Sequence, residues 1–178
     1  MSKTNNWIFQ GLRIIAWVIF VGLCIEAGAL LVNFFFSLYK PQVVPRLYEK
    51  LDLSAMYQVN KGAFFGVYSF ILAIALLKAH LFYIVITLVT KLDLAKPFND
   101  FVSATITKIS YYTFSIGLIS YIGRQTTKSL SHHGLDVDAL ARFWADSQAF
   151  ILMAAVVYVI AMIFSKGLAL QKENDLTV

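Results

Sequence analysis

The sequence predicts an all-α fold, an integral membrane bundle of four transmembrane helices forming a single membrane domain over residues 1–178. Three observations predict it. Residues 62–90 read as one apolar helix that ends abruptly in Lys91, Asp93, Lys96 and Pro97. The chain is 59% hydrophobic and only 14% charged, where a soluble domain carries roughly 25% charged residues. Further apolar stretches before and after the 62–90 helix are long enough to cross a bilayer, which takes about 20 residues.

The first span is expected over residues 12–39, after a short polar lead in which Trp7 favours the membrane interface. Pro41 and Pro45 stop it, because proline lacks an N–H and restricts the residue before it. Residues 40–61 form a loop, in which 46–57 could make a short interfacial helix. The second span is the 62–90 helix. Its length exceeds the hydrocarbon thickness, so it must tilt or project. Residues 91–100 form a tight turn, with Asn99 as a candidate N-cap behind Pro97.

The third span is expected over 101–123 and is the most polar, with Ser110, Tyr111, Tyr112, Ser115 and Ser120. A second long loop covers 124–146, where Asp136 could cap an amphipathic helix presenting Leu140, Phe143 and Trp144. The fourth span is expected over 147–165. Residues 166–178 then form a polar tail, either frayed, docked as an added strand, or continuing the helix.

The net charge of +5 is scattered rather than gathered into a stripe. It fits Lys and Arg near lipid headgroups and excludes a nucleic-acid footprint. The one cysteine, Cys24, reads as a small hydrophobe within the first span. No cleaved signal peptide is expected, because the first apolar run outlasts a signal region. An even span count puts both termini on one side. The basic residues divide seven to seven between the two sides, so the positive-inside rule alone does not choose. The short basic turn and the tail are assigned to the cytoplasm, and the long loops to the outside.

Three ionisable groups fall near the middle of spans: Glu26 in the first, Lys78 and His80 in the second. Each costs a few kcal/mol in hydrocarbon and is expected to face protein, water or a partner. On the first helix Gly22, Glu26, Ala29 and Asn33 share a stripe of small and polar residues. On the second the corresponding stripe is Gly66, Ser69, Ala73, His80, Tyr83 and Thr87. Helical spacing therefore favours Glu26 facing His80, with Lys78 meeting another helix or snorkelling. The contact set Glu26, His80, Lys78 and Asn33 reads either as a proton, ion or ligand site or as a hydrogen bond fixing helix register. No proline breaks these helices as in transporters.

His132 and His133, with Asp136 and Asp138, are metal-ligand types at short spacing. No cysteine or distant histidine completes a shell, so a solvated loop is the plainer reading, and no metal or other cofactor is expected. No G-x-S-x-G, H-E-x-x-H or phosphate-binding glycine loop stands in the chain. No catalytic residues are assigned, and the chain is expected not to be an enzyme.

Two stretches carry a resemblance. One is the turn Lys96-Pro97-Phe98, leading to Ile109-Ser110-Tyr111-Tyr112. The other is the ending around Gly167, Gln171, Glu173, Asn174 and Asp175. Together they resemble the bacterial four-span membrane family known as domain of unknown function 2975. The resemblance implies a small multi-pass protein of the bacterial inner membrane. Some family members are encoded beside small helix-turn-helix regulators. The resemblance brings no functional residues with it. The expected role is non-enzymatic, by interaction or regulation, with the bilayer and a cytoplasmic or membrane protein (or a second copy of the chain) as partners. The alternative is a small transporter or channel-like component built on Glu26, His80 and Lys78.

Overall fold

A computed structural model of the chain describes residues 3–40, 42, 44, 53–93, 97–132, 135 and 137–176. These residues are helical almost throughout, with no strand among them. Four long helices dominate: α1 (Lys3–Tyr39), α3 (Lys61–Lys91), α4 (Asp100–His132) and α6 (Ser147–Leu176). Two short helices, α2 (Ser54–Val59) and α5 (Ala141–Trp144), lie in the two long connections. Three segments are long and apolar enough to cross a membrane: Trp7–Tyr39, Lys61–Lys91 and one within Asp138–Asn174. α4 matches them in length and not in composition, because Ser, Thr, Tyr and Lys108 interrupt its apolar residues.

The expected boundaries shift in two places. α4 continues to His132, so the residues expected to open the second loop, from Arg124 onward, are its last two turns. α6 continues to Leu176, so the polar tail is helical, as one of the three readings had it. Lys172 and its neighbours favour this, since Ala, Leu, Gln, Lys and Glu are all good helix formers. In the first connection the described residues hold a helix at Ser54–Val59; most of the expected 46–57 helix lies outside the described residues. The second holds a 3₁₀ turn, Asp138–Leu140, running into α5. The proposed cap Asp136 lies outside the described residues.

The long helices pack in chain order. α1 lies on α3, α3 on α4, and α4 on α6, with no comparable contact joining α1 to α6. The result is a row of antiparallel neighbours rather than a closed bundle. The outer surfaces of α1 and α6 stay apolar and exposed, among them Ile14, Val18, Ile25 and Phe35 on one and Leu152, Val156, Val159 and Ile163 on the other. Apolar exposure on this scale is tolerated against lipid tails and not against water.

α1 and α3 meet through aromatic residues. Phe34 packs against Phe65 and Tyr68, and the Tyr68 hydroxyl donates to the Leu30 carbonyl at 3.0 Å. At the α3 N-terminal end a larger core forms from Val44, Leu53, Met56, Phe64, Val67, Leu140 and Trp144. α2 and α5 are thus folded down over the ends of α3 and α4.

α4 and α6 use different chemistry. Ser110, Thr113, Gly117, Ser120, Gly123 and Thr127 recur every three or four residues and are all buried. They form a small-residue stripe that admits a neighbouring backbone. At Gly117 a Cβ would lie 2.9 Å from the backbone nitrogen of Ile151 and 2.7 Å from its side chain. The Ser110 hydroxyl donates across to the Ala154 carbonyl at 3.0 Å. Cross-helix bonds of this kind average about 0.6 kcal/mol in a membrane, so close packing outweighs the hydrogen bond.

Six other hydroxyls of α4 turn back on their own helix. Thr105, Thr107, Thr113, Ser115, Thr126 and Thr127 each donate to the carbonyl four residues earlier. This leaves their donors satisfied without water.

Gly117→Leu is expected to lower stability by about 1–3 kcal/mol through overpacking, read as an earlier unfolding midpoint in detergent. Gly66→Ala, where a Cβ meets nothing within 4 Å, is expected to leave the midpoint in place.

Candidate functional site

The two stretches singled out in the sequence, one mid-chain and one near its end, come together in space. α3 ends at Lys91, and residues 97–99 lead into α4. The Asn99 side chain accepts from the backbone N–H of Val102 at 2.9 Å, the N-cap expected from sequence. Pro97 just before it fixes the approach of the chain. Phe98 is thereby aimed at α6, where its ring stacks on Phe164 at 5.2 Å. The same ring covers Gly167, where an added Cβ would lie 2.8 Å away. Gly167 is needed for this reason: it clears the place the Phe98 ring occupies.

One turn further along α6, Lys172 reaches Asp100 at the start of α4. Its ammonium donates to both carboxylate oxygens, at 3.0 and 3.2 Å. The pair is well exposed, so it adds little stability and serves mainly to fix register. Lys91 places its ammonium over the Phe101 ring at 5.4 Å. Residues 97–101 and the α6 extension therefore meet at one end of the molecule. Gln171, Glu173 and Asn174 lie exposed on that extension. Lys96 lies outside the described residues, and the Asp175 side chain is not described.

The intramembrane polar set is arranged differently from the expectation. Glu26 and His80 do not pair: among the described residues no hydrogen bond or ion pair joins Glu26 to His80 or to Lys78. Glu26 is half-buried on α1, and Asn33 is half-buried two turns on. His80 is exposed and packs its ring against Tyr112 of α4 at 4.8 Å. Lys78 lies toward α6, with its ammonium over the Phe150 ring at 5.5 Å.

The reason is that the predicted inward face of α3 is not the buried one. Gly66, Ser69, His80 and Tyr83 are exposed, while Phe64, Val67, Tyr68, Ile71, Ile74 and Ala75 are buried. Large apolar side chains fill the α1–α3 seam, and the later part of the small and polar stripe, His80, Tyr83 and Thr87, borders an open groove. That groove, of about 350 Å³, runs between α3 and α4 and is lined by His80, Tyr83, Thr87, Thr105, Lys108 and Tyr112 among others.

His132 is exposed at the end of α4, and His133 lies outside the described residues. Among the described residues no group of three or more His, Cys, Asp and Glu is brought together. Sequence reading missed two features. The small-residue stripe of α4 was visible at three- and four-residue spacing but obscured by the tyrosines between. The fit of Phe98 on Gly167 joins positions too far apart in sequence for any local signal.

Phe98→Ala is expected to cost about 1–2 kcal/mol, below the ~3–5 kcal/mol of a fully buried Phe→Ala change. Gly167→Val is expected to displace the same ring. In limited proteolysis of membranes with trypsin, both variants should be cut faster at Lys166 and Lys172 than the parent chain.

No curated protein and no solved structure matches the chain. A family model, described as a protein of unknown function (DUF2975), matches residues 37–178. That span takes in α3, α4, α6 and both stretches that meet at the Phe98–Gly167 contact. The chain therefore belongs to the DUF2975 family.

Proposed function

We propose that this chain is a four-span protein of the bacterial inner membrane that acts by binding another protein rather than by catalysis, through the surface formed by the 97–100 turn and the α6 extension. The observation that carries this reading is the convergence of Phe98, Phe164, Gly167, Asp100 and Lys172 into one ordered end. A frayed tail would need none of these contacts. A helix held rigidly beyond the apolar segment presents its exposed polar side chains in a fixed register, which lowers the ordering cost of binding.

Two features support α4 as the fourth span. It lies antiparallel between α3 and α6, covered on both sides. Six of its Ser and Thr hydroxyls donate to carbonyls of their own helix, which lowers the cost of its polar composition in hydrocarbon. With four spans, the turn and the tail share the cytoplasmic side with the N-terminus. In a Cys24→Ser background, Ser131→Cys should react with an impermeant thiol reagent from outside intact cells, and Asp93→Cys only after permeabilisation. The reverse pattern overturns the orientation.

A small transporter or channel-like component is the second reading, and the groove between α3 and α4 favours it. Exposed His80 and Lys108 with Tyr83 and Tyr112 are unusual against lipid. Glu26, which does not line that groove, has no part in this version.

A photo-crosslinking residue at Gln171 in native membranes separates the two readings. Protein binding at the turn and tail should give a discrete adduct that Phe98→Ala removes, while the same probe at Phe36 gives none. A His80→Phe change that leaves the adduct intact but abolishes a measured flux would favour the transporter instead.

A further inference from the structure

At the opposite end of the molecule a second cavity, of about 460 Å³, opens between the last two turns of α4 and the segment leading into α6. Arg124, Lys128 and Ser131 stand at i, i+4 and i+7 on α4, which puts all three on one face. Both cations are exposed, and among the described residues neither has an ion-pair partner. Among the described residues, Asp138 is the one carboxylate of the lining, against two cations.

Trp144 lines the inner side. It is 2% exposed, its ring is pressed against Gly123, and its indole N–H finds no acceptor among the described residues. The Trp144 indole nitrogen is itself shielded from solvent, so the two cations set the chemistry of the opening, and they call for a group rich in acceptors.

The depth of the cavity narrows the choice. The apolar stretch of α6 lies between Asp146 and Lys166. At about 1.5 Å per residue it spans about 28 Å, close to the ~30 Å of a bilayer's hydrocarbon core. Trp144, two residues before that stretch begins, touches Gly123, so Arg124 and Lys128 sit at the level of the headgroups. Basic pockets between helices at this depth suit anionic headgroups.

We infer that the Arg124–Lys128–Ser131 cavity binds a phosphate group, that of an anionic phospholipid headgroup. Both leaflets carry such phosphates, so the site does not depend on which way the protein faces. The inference is also independent of the protein-binding surface at the other end. The shared chemistry is a phosphate accepting from a guanidinium, an ammonium and a hydroxyl.

The test uses the full chain purified in a neutral detergent and three probes: phosphatidylglycerol, phosphatidylcholine and inorganic phosphate. Native mass spectrometry counts retained lipid, and Trp fluorescence follows thermal unfolding. Phosphatidylglycerol should be retained and raise the midpoint, and phosphatidylcholine should do neither. Arg124→Gln with Lys128→Gln should weaken retention at least tenfold. Ser131→Asp, which leaves both cations in place but adds a carboxylate, should also weaken it. Lys40→Gln with Lys61→Gln, the same charge change at the same end, should leave it unchanged. A midpoint shift with inorganic phosphate that the Arg124/Lys128 variant abolishes assigns the site to free phosphate. Equal retention of phosphatidylcholine overturns the inference, as does full retention by the double variant or equal loss in the Lys40/Lys61 control.

Discussion

The arrangement depends on how closely α4 can approach α6. Between lipid-embedded helices there is no hydrophobic gain to drive association, because lipid tails are as apolar as leucine. What holds them is dispersion contact, and that requires backbones near each other. Gly117 supplies the approach, with Ile151 where its side chain would be. Ser110 and Ala154 lock it about two turns away along α4. Once α6 is seated, Trp144 is carried against Gly123 at one end and Gly167 is brought under Phe98 at the other. Both ends of the protein, the capped and the extended, are thus positioned by one seam of small residues.

The two halves of the row therefore obey different rules. α1 and α3 interlock through Phe34, Phe65 and Tyr68, and their seam runs into a core that includes α2 and Leu140. The part of that core beyond the hydrocarbon gains from leaving water, so large side chains are favoured there. α4 and α6 instead meet through Gly, Ser and Ala. A composition rule tuned to apolar spans recognises the first half and α6, and passes over α4 for this reason.

The same contrast sets how much was legible in the sequence. Apolar length gave α1, α3 and α6, and the Asn99 cap and the Pro97 turn were readable because their chemistry is local. The ends of α4 and α6 were less legible. Arg124, Lys128 and Lys172 are good helix formers, and nothing in a polar residue distinguishes a helix leaving the membrane from a loop. The inward face of α3 was misjudged by assuming that small and polar residues always line the seam. That assumption holds for α4. On α3 the seam is aromatic and aliphatic, so His80 turns instead to Tyr112 and the groove.

An open row also changes what a mid-membrane polar residue implies. In a closed bundle Glu26, Lys78 and His80 would have been forced toward one another at the centre. Here each meets a different surface: Glu26 the flank of α1, Lys78 the ring of Phe150 on α6, and His80 the ring of Tyr112 on α4. A relay needs donors and acceptors in sequence within hydrogen-bond reach, and this dispersal provides none among the three. The ordered chemistry of the molecule lies instead at its two ends. There Phe98, Asp100 and Lys172 fix one surface, and Arg124, Lys128 and Trp144 shape the other. The apolar seams between them set the distance at which those two ends are held.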